Sequence, residues 1–183
     1  MDMQINNTIG QEFLKISIER FHKLKDLAER AISQVKDDKK LYWLPDGESN
    51  SIAIIARHIA GNQRSRWTDF LTADGEKSNR NRPLEFEREF KPSRNELLNI
   101  WNIGWQTMFN TLNSLTPKDL LKEVRIRKEP HSVLEAILRQ LTHYSEHVGQ
   151  IMFLAKHIEW ENWEHLSMPR DKVSFDYKGE THF

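Results

Sequence analysis

Apolar residues recur at steps of three and four along four separate stretches of this chain, and that periodicity restricts the fold to packed amphipathic helices. The first stripe, from about Glu12 to Val35, runs through Leu14, Ile18, Phe21, Leu24, Ala28 and Ala31. Pro45, Asp46 and Gly47 mark a turn after it. Ser49 and Asn50 then offer a cap for a second helix through about Leu71, with Ile52, Ile55, Ile59 and Phe70 facing inward. Ser93 with Glu96 predicts a capping box that opens a third helix on Leu97, Trp101, Trp105, Met108, Leu112 and Leu115. A second box, Ser132 with Glu135, opens a fourth, which Val133, Ala136, Ile137, Leu141, Tyr144, Val148, Ile151 and Leu154 carry to about His157.

The segments between these stripes set the topology. Thr72 to Pro92 is polar apart from Leu84, Phe86 and Phe90, and reads as a long connection outside the core. Thr116, Pro117 and Asp119 start a short helical turn, and Glu123 to Lys128 reads as an extended connector that makes no sheet. The predicted fold class is therefore all-α: a four-helix bundle with a long crossover connection between helices two and three. Residues 1–166 form the bundle, and 167–183 are expected to be a polar C-terminal tail.

Two histidines, His143 and His147, lie one turn apart on the bundle-facing stripe of the fourth helix. An i, i+4 pair points both rings at one place. Neutral imidazole is the commonest metal ligand, and burying two rings without partners would cost several kcal/mol, roughly. His58, among apolar neighbours on the second helix and one turn before Gly61 and Asn62, is the candidate third ligand. Each ring also fits a plainer role, bonded to backbone or to a carboxylate. His22, His131, His157 and His165 read as structural or solvent-facing. Glu146, between the pair in sequence, is expected to point away from the site. Trp67, Trp101, Trp105 and Trp160 are expected to supply core area.

Composition narrows the chemistry. Lys+Arg 27 balances Asp+Glu 27, which removes the basic footprint of a nucleic-acid binder. Arg125, Arg127 and Lys128 are flanked by Glu123 and Glu129, as on a solvated surface. No stretch approaches the ~18 apolar residues of a membrane span, and Met1 to Gly10 lacks the layout of a signal peptide, so no membrane partner and a cytoplasmic location are expected. With no cysteine, a metal must be held by His, Asp or Glu, and any thiol must come from outside the chain.

The string ARHIAGNQRSRW around His58, together with HYSEHVGQI on the fourth helix, resembles the DinB-like superfamily, whose YfiT-type members are metal-dependent enzymes. The strings RSRWTDFLTADGEK, RIRKEPHSVLEAI and EHVGQIMFLAKHIEWENWEHLSMPR look like one uncharacterised branch of it. The resemblance covers nearly the whole chain. It implies a four-helix bundle unlike a simple up-down series, a divalent metal (zinc or nickel) on His58, His143 and His147, chemistry with low-molecular-weight thiols, and a homodimer. The expectation is a metalloenzyme acting on a small-molecule substrate as a transferase or hydrolase. An open coordination position would lower the pKa of a bound water or thiol, and Asn62 and Gln140, each within a turn of a ligand, would orient the substrate. The alternative is a non-catalytic metal- or small-molecule-binding bundle, in which a carboxylate such as Glu12 or Glu19 closes the shell.

Overall fold

The computed structural model describes residues 2–167, with side chains from Thr8 onward, so the expected tail from 168 to 183 lies outside the described residues. Four long helices form the bundle: α1 (Asp2–Gln34), α2 (Ile52–Trp67), α4 (Arg94–Ser114) and α5 (Val133–Ile158). A short α3 (Arg82–Glu85) interrupts the crossover, and 3-10 turns follow α1 at Asp38–Tyr42 and α4 at Pro117–Asp119. Helix α2 packs chiefly on α4 and α1 on α5, while α2 also meets α5 and so joins the two pairs.

The apolar stripes fill the space between these helices. Phe21, Trp67, Trp101, Trp105, Met108, Ile137, Tyr144 and Ile151 are fully buried. Phe21 stands edge-on to Trp67 with ring centroids 6.3 Å apart, and Trp101 meets Trp105 at 5.2 Å. Gly104 sets the closeness of α2 and α4: a Cβ there would lie 2.7 Å from the Cα of Ala60 and 2.6 Å from Gln63 Oε1. Trp160 departs from expectation, being 73% exposed, because α5 ends at Ile158 and the chain there has left the packed stripe.

Helix boundaries differ from the sequence reading where local chemistry outweighs periodicity. Helix α1 begins at Asp2 rather than near Glu12, and Gly10 sits inside it where a Cβ would fall 2.7 Å from Pro117 Cβ. The cap of α2 is Ser51, whose hydroxyl accepts from Ile54 N–H, rather than Ser49 or Asn50. That helix stops at Trp67, four residues early, since Asp69 takes a positive φ of 49° and its carbonyl accepts from Thr72 and Ala73. The box of Ser93 and Glu96 forms with both its bonds. At α5 only half forms: Ser132 caps Glu135 N–H, while the Glu135 carboxylate turns to His131 Nδ1 at 2.9 Å.

The segment expected to make no sheet is an antiparallel hairpin, β1 (Glu123–Ile126) with β2 (Glu129–Ser132). Its turn is Arg127-Lys128, with φ of 56° and 68°, a conformation that non-glycine residues adopt at a cost. Asp74 compensates. Its carboxylate accepts from Arg127 N–H at 2.9 Å and from Lys128 N–H at 2.7 Å. Gly75 N–H also donates to the Arg125 carbonyl at 2.7 Å. The crossover is thereby fastened to the hairpin. Nor does it lie wholly outside the core: Phe90 packs on the apolar cluster beneath the Arg57 guanidinium, and Glu85 is only 6% exposed.

Candidate metal centre

The three expected histidines converge. His58 from α2 and His143 and His147 from α5 each offer one ring nitrogen within a sphere where all lie within 4.8 Å of one another. Two edges of this triangle are His58 Nε2 to His143 Nε2 at 3.3 Å and His147 Nε2 to His143 Nε2 at 3.1 Å. Ligand nitrogens ~2.0–2.1 Å from a tetrahedral cation stand about 3.3 Å apart, so the spacing matches a shared ion.

The outer ring nitrogens decide what the inner ones can do. His58 Nδ1 is 2.9 Å from Glu85 Oε2 and His147 Nδ1 is 2.9 Å from Gln150 Oε1, both acceptors. Each ring therefore carries its proton on Nδ1, and the Nε2 lone pairs of His58 and His147 both point at His143 Nε2. At most one proton on His143 could serve two facing lone pairs, whereas a cation satisfies all three. Burial, then the neighbouring His147 and His58, pushes His143 down to about 3, and burial pushes His147 down as well. Neutral imidazole is the form that ligates. The donor set fits a divalent metal.

Glu85 was not legible as a site residue. It reaches His58 from α3 because Gly61, on α2 one turn past His58, leaves the space: a Cβ at 61 would lie 2.4 Å from Glu85 Oε1. Arg80 holds the same carboxylate through Nε to Oε1 and Nη2 to Oε2, both 2.7 Å. Burial alone would raise the Glu85 pKa, but the hydrogen bonds from Arg80 and His58 and their charge outweigh it and keep the group below the ordinary carboxylate range. The result is an anionic acceptor fixed behind a histidine that could hold a metal, an arrangement that orients the ring and raises its basicity. The Phe86 ring, 4.6 Å from that of His58, closes the side.

Beside the imidazoles lies a cavity of about 370 Å³ whose wall includes His58, His143, Asn62 and Gln140. Both polar residues singled out from sequence thus border the site. Asn62 Oδ1 accepts from the Tyr144 hydroxyl at 2.9 Å, and that hydroxyl accepts from Trp67 Nε1 at 3.2 Å, which fixes the amide. Gln140 is 3% exposed, and its Oε1 has no hydrogen-bond partner among the described residues. Glu146 also lines the cavity, contrary to the expectation that it points away; it follows His143 by three residues, close enough on a helix to share its side. Glu12 and Glu19 do not close the shell: both are exposed, Glu12 near Lys15 at 3.8 Å, and no carboxylate among the described residues joins the triad.

Three of the other histidines have structural partners and His165 is exposed. His22 stacks on Phe109, His157 on Trp43, and His131 pairs with Glu135. Arg66 and Arg127 were missed as site residues, and for Arg66 a signal exists, because His58, Asn62 and Arg66 are spaced by four along α2.

A helical bundle carrying a three-histidine cluster, one ring buried and two half-buried, beside a polar cavity is the class that fold and site define. The chain belongs to a family described as protein of unknown function DUF1572, whose model matches residues 8–172. No curated protein and no solved structure matches it. Among the described residues no helix is long and apolar enough to cross a membrane.

Proposed function

We propose that the protein is a divalent-metal-dependent enzyme acting on a small molecule, with His58, His143 and His147 as its metal ligands. One observation carries the reading: three imidazole nitrogens converge while Nδ1 donation to Glu85 and Gln150 turns the lone pairs of two of them inward. The resemblance of ARHIAGNQRSRW and HYSEHVGQI to DinB-like sequences supports it. Zinc or nickel is the proposed ion, since imidazole suits both.

Three neutral ligands, with no carboxylate among the described residues, leave room for a further ligand, as catalytic sites do. A bound divalent ion would supply Lewis acidity, lowering the pKa of a coordinated water or thiol. The chain supplies the rest: Glu85 and Gln150 hold two rings in the ligating tautomer, Phe86 covers the His58 ring, and the Asn62 amide is set by Tyr144. As the chain has no cysteine, a thiol nucleophile would be a low-molecular-weight cosubstrate, in a transferase or hydrolase reaction. We also propose a cytoplasmic homodimer, which solution mass would test.

Elemental analysis should find about one divalent ion per chain, the stoichiometry of a preformed site, and His143→Ala with His147→Ala should abolish it. Full occupancy in that double variant would overturn the ligand assignment. Cobalt-substituted protein should change its visible spectrum on addition of a thiol or azide. An unresponsive spectrum would favour the non-catalytic binding module.

A further inference from the structure

The cavity beside the imidazoles is lined by five guanidiniums, those of Arg66, Arg80, Arg82, Arg127 and Arg139, against a single lining carboxylate, Glu146. The chain as a whole has no net charge, so this concentration is local and not the by-product of a basic protein. Arg80 is satisfied by Glu85 and Glu76, and Arg127 Nε takes Glu76 at 3.2 Å. Arg66 shares that same Glu76, through Nη2 at 3.1 Å. One carboxylate thus serves three cations. Arg82 lies over the Phe86 ring at 5.9 Å, and Arg139 has Glu135 one turn away as its nearby charge.

Arg66 is the residue this arrangement leaves incomplete. It is 4% exposed, yet its Nε and Nη1 have no hydrogen-bond partner among the described residues. Buried donors on a charged group are costly to leave unpaired, and such groups persist where a ligand completes them. On the same cavity wall the buried Gln140 Oε1 is an acceptor equally without a partner. The two orphans are complementary to different chemistry: the guanidinium asks for an oxyanion, the amide oxygen for a donor.

We propose that this cavity binds a small molecule through a carboxylate or phosphate oxyanion anchored on Arg66, with a hydroxyl or amino donor of the same molecule on Gln140. The proposal rests on the reading of His58 and His143 as the reactive end of the same cavity, but the anion site needs no metal to form. Its volume of about 370 Å³ suits a compact substrate or one arm of a larger one. The flanking Arg82 and Arg139 would draw anions in, an attraction that weakens with salt.

The test is calorimetric titration of the full chain, once treated with chelator and once loaded with zinc, against inorganic phosphate, acetate, glycolate and uncharged acetamide. Phosphate, acetate and glycolate should bind in the millimolar range to both forms, acetamide to neither, and glycolate more tightly than acetate because its hydroxyl reaches Gln140. Arg66→Gln should weaken all three anions about tenfold or more, ~1.4 kcal/mol. Gln140→Leu should erase only the glycolate advantage. Glu76 keeps Arg80 and Arg127 in the Arg66 variant; should that variant not fold, Arg139→Gln, on the exposed side of α5, should still weaken the anions about twofold. Wild type that binds no anion, acetamide equal to acetate, or folded Arg66→Gln as tight as wild type would each overturn the proposal. Anion binding by protein that takes up no metal would leave it standing and remove the metal reading alone.

Discussion

Replacing Gly61 by alanine sets two effects of opposite sign against each other, and the structure decides which wins. Alanine in a helix interior gains ~1 kcal/mol over glycine. The added Cβ would lie 2.4 Å from Glu85 Oε1, 2.7 Å from Cδ and 3.1 Å from Cγ, so Glu85 must move. A free carboxylate would move at little cost. This one is fixed at both oxygens by Arg80 and at Oε2 by His58 Nδ1, at 2.7, 2.7 and 2.9 Å. Any displacement of several tenths of an ångström breaks or stretches at least one of these bonds, each worth ~1.5–3 kcal/mol for a charged partner. The net is a destabilisation of ~0.5–2 kcal/mol, a fall in melting temperature of about 1–8 °C for a chain this long.

The same displacement removes the acceptor that holds the His58 ring, so divalent metal affinity should fall about 10- to 100-fold. Gly149→Ala provides the control, because it too lies in a helix, near His147, and a Cβ there meets nothing within 4 Å. That change should stabilise by ~0.5–1 kcal/mol and leave metal affinity alone. Thermal melts in chelator measure the first effect, and competition with a chelating dye measures the second. If Gly61→Ala behaved like Gly149→Ala in both, Glu85 would not be pinned behind His58 and the orientation of the ligand would need another source.

Other outcomes follow from single contacts. Tyr144→Phe leaves Trp67 Nε1 and Asn62 Oδ1 unpaired in the core and should cost ~1–3 kcal/mol in urea unfolding. Arg94→Ala removes the side chain that donates to the Ile32 and Val35 carbonyls at the end of α1 and to Asp38, and should cost ~1–3 kcal/mol by the same assay. Asp119 accepts from Lys122 and from the hydroxyl and N–H of Thr116, which lowers its pKa from 3.8 to about 2. A depressed carboxylate contributes stability that is present above pH 3.8 and is lost as pH falls through about 2. Asp119→Asn should therefore flatten the decline of the urea midpoint in that window, and an unchanged acid profile would rule the contribution out.

The long helices and the convergent histidine pair were readable from the sequence because both rest on one local rule, the 3.6-residue period, which needs no knowledge of the partner surface. His143 and His147 share a turn of α5, and Leu97, Trp101, Trp105 and Met108 share a face of α4. What was not readable depends on contacts between distant segments. The Arg127-Lys128 turn carries no glycine or asparagine signal, since its positive φ angles are compensated by Asp74, more than fifty residues earlier. Nor does local sequence show why position 10 is glycine, where a Cβ would fall 2.7 Å from Pro117 Cβ.

The crossover is the instructive case, because its polar composition was taken as a sign of distance from the core and is instead what the site requires. Asp74 fastens the hairpin, Glu76 gathers Arg66, Arg80 and Arg127, and Glu85 reaches the back of His58 through the gap that Gly61 leaves. A polar segment with few apolar anchors cannot bury itself by the hydrophobic effect; here charge-assisted bonds to buried guanidiniums hold it. Its order should therefore be sensitive to charge where the bundle is not. Glu76→Gln should raise amide exchange across 69–90 while protection in α1 and α4 stays at the wild-type level. Uniform loss of protection in all helices would mean that the crossover and the bundle unfold as one unit, and that the ion pairs stabilise the fold rather than position the site.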